Sequence, residues 1–260
     1  PAEPGMWQGN GPRGGRALTL AVSPDFANDG TAFAGEYIDH KGGGQSGLGI
    51  LRSDDHGQTW QPSSSGTENV AYATAVHDYA FSPNFAADQI VFAATWGGLC
   101  RSTDGGQTWA WAGRLYSGPF GSINNVAVAP DFATSGHVLA TGGWGGLYLS
   151  QDGGIHWTAN YTVSTSGPIA YSPAFAVNGT AFVAGWSGLY RTMDRGMSWT
   201  QVLTASLSSL AVSPDLAVDG TLLVGGGGAV YISHDSGTSW ISVTLPATWT
   251  FVADLALSPA

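Results

Sequence analysis

Apolar residues along this chain come in short runs, separated by small and polar residues, and no run has the length or the 3.6-residue spacing of an amphipathic helix. One outline recurs five times: an apolar strand ending in Ser-Pro or Ala-Pro, a short turn, and a second apolar strand. It reads "LAVSPDFANDGTAFAG" from Leu20, "YAFSPNFAADQIVFAA" from Tyr79, "VAVAPDFATSGHVLAT" from Val126, "IAYSPAFAVNGTAFVA" from Ile169 and "LAVSPDLAVDGTLLVG" from Leu210. A glycine turn, a third short strand and a polar eight-residue phrase follow each copy. In the first unit the pattern predicts strands near Leu18–Val22, Thr31–Ala34, Gly49–Arg52 and Thr59–Gln61. The prolines at 24, 83, 130, 173 and 214 end the innermost strand, where a missing backbone donor is tolerated.

The polar phrase is "SDDHGQTW" ending at Trp60, "STDGGQTW" at Trp109, "SQDGGIHW" at Trp157, "TMDRGMSW" at Trp199 and "SHDSGTSW" at Trp240, with the tryptophans 49, 48, 42 and 41 residues apart. Four β segments in a period of about 40 to 50 residues match a propeller blade better than a β-helix coil or a helical repeat. The fold expected is all-β, a β-propeller of four-stranded blades forming a single domain over 1–260. Five blades are complete, and parts of a sixth stand at the ends. "VADLALSPA" at the C-terminal end repeats a first strand through Pro259, and "GMWQGN" around Trp7 resembles an outer strand. Two arrangements follow: a ring whose C-terminal region is incomplete here, or a five-bladed ring with two spare end strands.

Within the phrase, Asp can accept hydrogen bonds from nearby amides, Gly can take positive φ, and Trp can bury a large surface after the turn. Ser or Thr adds a local side-chain bond. The phrases resemble Asp-box repeats, also called bacterial neuraminidase repeats: Ser or Thr, Asp two residues later, Gly four later and an aromatic seven later. The resemblance covers roughly Leu18 through Pro259. It implies a turn between the third and fourth strands of each blade, remote from the ligand face of related sialidases, and it does not itself transfer sialidase activity. Asp55, Asp104, Asp152, Asp194 and Asp235 are therefore read as structural fasteners in preference to catalytic groups. Similar repeats occur in photosystem assembly factors, sortilin-type receptors and large polysaccharide-degrading propellers.

Charge narrows the partners. Lys and Arg number 8 against 18 Asp and Glu, a formal charge of -10 with no basic run, which disfavours nucleic acid. No apolar run of membrane-spanning length occurs. Cys100, the only cysteine, sits where later repeats carry Tyr148, Tyr190 and Tyr231, and is expected to be a packed strand residue. The six histidines form no short metal motif, one carboxylate per phrase is far from a calcium cage, and "GGWGGLY" is neither a phosphate loop nor a dinucleotide fingerprint. Neither a metal nor a cofactor is expected.

In a four-stranded blade, the connection after strand two and the connection to the next blade emerge on one face, opposite the Asp phrases. That face should carry Trp96, Trp144 and Trp186 at equivalent positions, joined by Tyr37, Trp111, Tyr116 and Trp249. Aromatic faces stack on sugars, so these residues are candidates for ligand contact, although repeated tryptophans also pack blade seams. Glu36, Asp39, Glu68 and Asp78 are the acids this face could supply to a glycosidase, which needs two carboxyls at suitable separation. Sialidases use an arginine cluster, but Arg52, Arg101 and Arg191 precede the Asp phrases and approach the other face. The reading reached is a noncatalytic extracellular or cell-envelope module binding a glycan or a protein. The alternatives are a glycoside hydrolase or detached carbohydrate-active propeller domain, and a purely structural repeat protein.

Overall fold

The computed structural model describes residues 16–37, 49–67, 75–112, 121–142, 146–246 and 251–258. They build five four-stranded antiparallel sheets, each a meander in which strands pair in chain order. The first sheet comprises β1 (Arg16–Val22), β2 (Ala32–Tyr37), β3 (Ile50–Ser53) and β4 (Gln61–Pro62), and the second β5 (Val76–Phe81), β6 (Val91–Thr95), β7 (Gly98–Ser102) and β8 (Ala110–Trp111). The third runs through β9 (Ile123–Val128), β10 (Val138–Gly142), β11 (Gly146–Ser150) and β12 (Thr158–Asn160). The fourth contains β13 (Ile169–Tyr171), β14 (Ala181–Gly185), β15 (Gly188–Thr192) and β16 (Thr200–Leu203), and the fifth β17 (Ser209–Val212), β18 (Leu222–Gly226), β19 (Ala229–Ser233) and β20 (Ile241–Thr244).

Burial grades across each blade. The second strands β6, β10 and β14 are buried at every residue, whereas the outer strands β4, β8 and β20 are exposed at every residue. A strand covered on both faces needs apolar or small residues throughout, which explains continuous runs such as Val-Phe-Ala-Ala-Thr in β6. The innermost strands of successive sheets pack against one another, β1 on β5, β5 on β9, β9 on β13 and β13 on β17. The core is accordingly divided among four blade junctions. In the first, Phe33 of one blade meets Tyr79, Phe81 and Trp109 of the next.

The turn between the first two strands is a single helical turn in every blade, α1 (Phe26–Asp29) in the first and α2 (Phe85–Asp88) in the second. Its sequence explains it. Ser23 Oγ accepts from the Asp25 amide (3.1 Å) and donates to the Asp29 carboxylate (2.6 Å), whose other oxygen accepts from the Thr31 amide (2.7 Å). Gly30 then closes the turn in the left-handed region at φ 63. Gln89 takes the same conformation in the second blade and compensates with a side-chain bond, Nε2 to the Phe85 carbonyl.

Candidate functional site

Each helical turn lies at the same end of its blade as the Asp phrase. The His56 amide donates to the Gly30 carbonyl, and Gly105, Gly153, Arg195 and Ser236 repeat that bond to Gln89, Gly136, Gly179 and Gly220. The other end carries the β2–β3-type hairpins and the connections between blades. The two ends differ in chemistry.

At the Asp-phrase end the carboxylate, hydroxyl and amides within each phrase bond to one another. Asp55 accepts from Ser53 Oγ (2.8 Å), the Thr59 amide (2.8 Å) and the Thr59 hydroxyl (2.6 Å), and Ser53 Oγ accepts from the Gly57 amide (2.9 Å). Asp104, Asp152, Asp194 and Asp235 repeat the arrangement, with His156 Nδ1 replacing the hydroxyl at Asp152. The Thr59 hydroxyl and amide hold Asp55 at about 2, and Ser239 does the same for Asp235. Two consecutive left-handed residues make the turn, and the second is always glycine. A Cβ on Gly106 would collide with the Phe33 ring of the preceding blade. Trp109, 3% exposed, donates from Nε1 to the Ser63 carbonyl at 2.7 Å, and Trp240 reaches back to Val202, so these two indoles also tie adjacent blades. Trp60, Trp157 and Trp199 bond to the glycine carbonyl of their own phrase.

The arginines belong to this end as well. Arg191 Nη1 donates to the Ser236 carbonyl of the next blade's phrase at 2.7 Å, and Arg52 pairs with Asp54 at 2.6 Å. A concave pocket beside Arg52, Asp54, Thr59 and Gln107 also opens on this side, and a second runs along the outer strand β12 from His156 and Trp157 to Tyr161. Among the described residues no three His, Cys, Asp or Glu side chains gather to hold a metal.

At the hairpin end, Trp96 and Trp186 occupy the same repeat position and are 42% and 57% exposed, so neither is sealed into a blade seam. The hairpins that carry them are held by hydrogen bonds. The Trp96 amide donates to the Ala75 carbonyl, Thr95 Oγ1 to the Gly98 carbonyl, and the Trp96 ring rests 5.8 Å from the His77 imidazole. Around Trp186, the Leu207 amide donates to Gly185, Ser187 Oγ to Ser164, and Gln201 Nε2 to Ser187. Trp111 lies over Gly98 with part of its ring open to solvent. Burial pushes the His77 imidazole down, leaving it neutral near pH 7.

Asp78 is the candidate acid whose surroundings are described. It is half-buried where the second blade meets the third: its carboxylate accepts from the Tyr79 amide (2.9 Å) and, across the junction, from the Val126 amide (3.0 Å). Burial raises it to about 6 against the opposing pull of those amides. Asn125, one repeat on, makes a comparable link from Nδ2 to the Ser166 carbonyl (3.1 Å). Nothing in the sequence near Asp78 advertised that bond, because its partner is 48 residues away. Glu36 and Tyr37 end β2, paired with Ala17 and Arg16. Asp39, Glu68, Tyr116, Trp144 and Trp249 lie outside the described residues.

The BNR/Asp-box repeat model matches residues 51–62, the first of the five phrases. The chain carries BNR/Asp-box repeats on a β-propeller fold. Among solved structures it is similar to a GH74 enzyme of Niastella koreensis, with 22% identity and a TM-score of 0.67 over 88% of this chain and 38% of that one. An ancestral GH74 enzyme gives 20% identity and a TM-score of 0.67 over 88% of this chain and 31% of its own. YCF48 from Cyanidioschyzon merolae gives 14% identity and a TM-score of 0.57, covering 91% of this chain and 74% of that one. The chain therefore spans about a third of the length of the two GH74 enzymes. No curated protein sequence matches it. No helix among the described residues is long and apolar enough to cross a membrane.

Proposed function

We propose that the chain is a noncatalytic binding module that recognises its partner through the hairpin face, in an extracellular or cell-envelope setting. The observation that carries this reading is the exposure of Trp96 and Trp186 at one repeat position on hydrogen-bonded hairpins. An indole on a fixed backbone offers a wide contact surface with little ordering left to do on binding. A glycan ring or an extended polypeptide supplies the flat or ridged surface that such indoles cover. A YCF48 propeller has been solved bound to the D1 peptide, which supports a protein partner. Glycan and peptide arrays probed with the labelled protein test the reading. Binding to one class should fall about tenfold in Trp96→Ala with melting unchanged; binding indifferent to both Trp96→Ala and Trp186→Ala would remove this face from recognition.

A second reading, glycoside hydrolysis, draws on the raised Asp78 carboxyl at the same end of the blades. A partner carboxyl, from Glu36, Asp39 or Glu68, would have to stand roughly 5 to 10 Å away. Asp78 is already held by two backbone amides, which favours the binding reading. Product release from a glycan panel that vanishes in Asp78→Asn without loss of stability would reverse that preference.

A further inference from the structure

The four blade junctions share one construction. Each blade points a large residue of its second strand forward into the next: Phe33, Phe92, Leu139 and Phe182, all fully buried. Third-strand residues Ile50, Leu99, Leu147 and Leu189 are buried beside them. The receiving blade contributes its inner strand, with Tyr79 and Val126 nearly sealed. The fifth blade carries Leu223 and Val230 at the forward positions, and both are only half-buried. At the other extreme, Leu20 and Val22 stand where Tyr79 and Phe81 stand in the second blade, yet they are 66% and 49% exposed.

The fifth blade's forward flank already holds a segment of chain. Ser208 Oγ donates to the Val252 carbonyl at 2.7 Å, and a Cβ built on Gly225 would strike Val252, as one on Gly35 would strike Val76. Gly225 and Gly35 share a repeat position, so Val252 sits where the inner strand of a following blade begins. Asp254 aligns with Asp78 and makes the same local bond, accepting from the Leu255 amide (2.8 Å) as Asp78 accepts from Tyr79 (2.9 Å). In Asp78 the second oxygen takes an amide of the next blade.

We propose that residues 251–258 are the inner strand of a sixth blade, and that the flank bearing Leu223 and Val230 seats the remaining antiparallel strands of that blade, of this chain's own repeat type. The five blades are then an arc of a larger ring. The fifth cannot close directly on the first, because the slot that β1 would need is held by 251–258. Continuity with four existing junctions selects this occupant over a second copy of the chain, whose β1 would meet the same obstacle.

The test uses the 260-residue chain and an extended form with a copy of Phe175–Leu203 joined after Ala260, continuing the Ser-Pro-Ala phrase as at Ser172 to Ala174. In the 260-residue chain Leu223→Cys, whose counterparts in the other blades are fully buried, should react with a thiol reagent at every protein concentration tried, and the extension should slow the reaction about tenfold or more. Buried Cys100, its thiol pushed up to about 12, does not compete. Unchanged labelling in a folded extended chain would overturn the proposal, and protection that grows with concentration in the unextended chain would name a second copy as the occupant. A second variant covers the case in which the extension misfolds. Leu20→Cys combined with Leu223→Cys, the positions of the Phe33–Tyr79 ring contact, should not be bridged within a monomer by a bifunctional thiol reagent long enough to span the two missing rings. An intramolecular crosslink would show a ring of five closed on itself.

Discussion

The two ends of the blades repeat with equal regularity and spend their repeats differently. At the Asp-phrase end the recurring outline closes on itself: carboxylate, hydroxyl and amides of each turn bond to one another, and Trp109 disappears into a junction. At the hairpin end Trp96 and Trp186 keep much of their ring surface in solvent on hairpins held by hydrogen bonds, with the Trp96 ring resting in part against His77. Recurrence alone therefore does not distinguish construction from recognition. What distinguishes them is whether the side chain's own bonding and apolar surface are used up inside the fold.

The largest effect expected from that contrast is on stability. Trp109→Ala should cost about 3 to 5 kcal/mol in denaturant unfolding, because it empties a junction shared with Phe33 and Tyr79. Trp186→Ala, the same substitution at the other end, should leave the midpoint within about 0.5 kcal/mol of the parent. Equal losses would erase the distinction. Asp104→Ala should cost about 1 kcal/mol, since its carboxylate bonds stand partly in solvent.

The smallest effect sharpens the comparison through pH. Asp55 and Asp235 are held at about 2, below the ordinary carboxylate value of 3.8, so their stabilisation is complete above that value and disappears as pH falls toward 2. Asp78 runs the other way. With its folded value near 6, its protonated form is favoured by the fold, and that contribution is lost as pH rises from about 4 through 6. Urea midpoints between pH 4 and 7 should decline more in the parent than in Asp78→Asn. Parallel profiles would show that Asp78 is not the titrating group.

Much of this was legible in the sequence. The five four-stranded units follow from the repeat period, and the Asp turns from a phrase whose bonds close within a few residues. Boundaries were less so. The fourth strand of the first blade was expected at Thr59–Gln61 but begins at Gln61, because the Thr59 amide is taken by the Asp55 carboxylate. The helical turns are four residues long, too short to leave a periodicity, and are held by Ser and Asp side chains. At the hairpin end, exposure of Trp96 and Trp186 depends on what neighbouring blades cover, which no local motif encodes. The junction bond of Asp78 has the same long-range origin.

The most direct test measures affinity for an array-selected glycan or peptide, well below the melting temperature, in Trp186→Ala and Asp104→Ala side by side. The account predicts that Trp186→Ala weakens binding by about 1 kcal/mol or more while melting like the parent, and that Asp104→Ala melts earlier yet binds like the parent. Binding lost in Asp104→Ala and retained in Trp186→Ala would place recognition at the Asp-phrase end and contradict it.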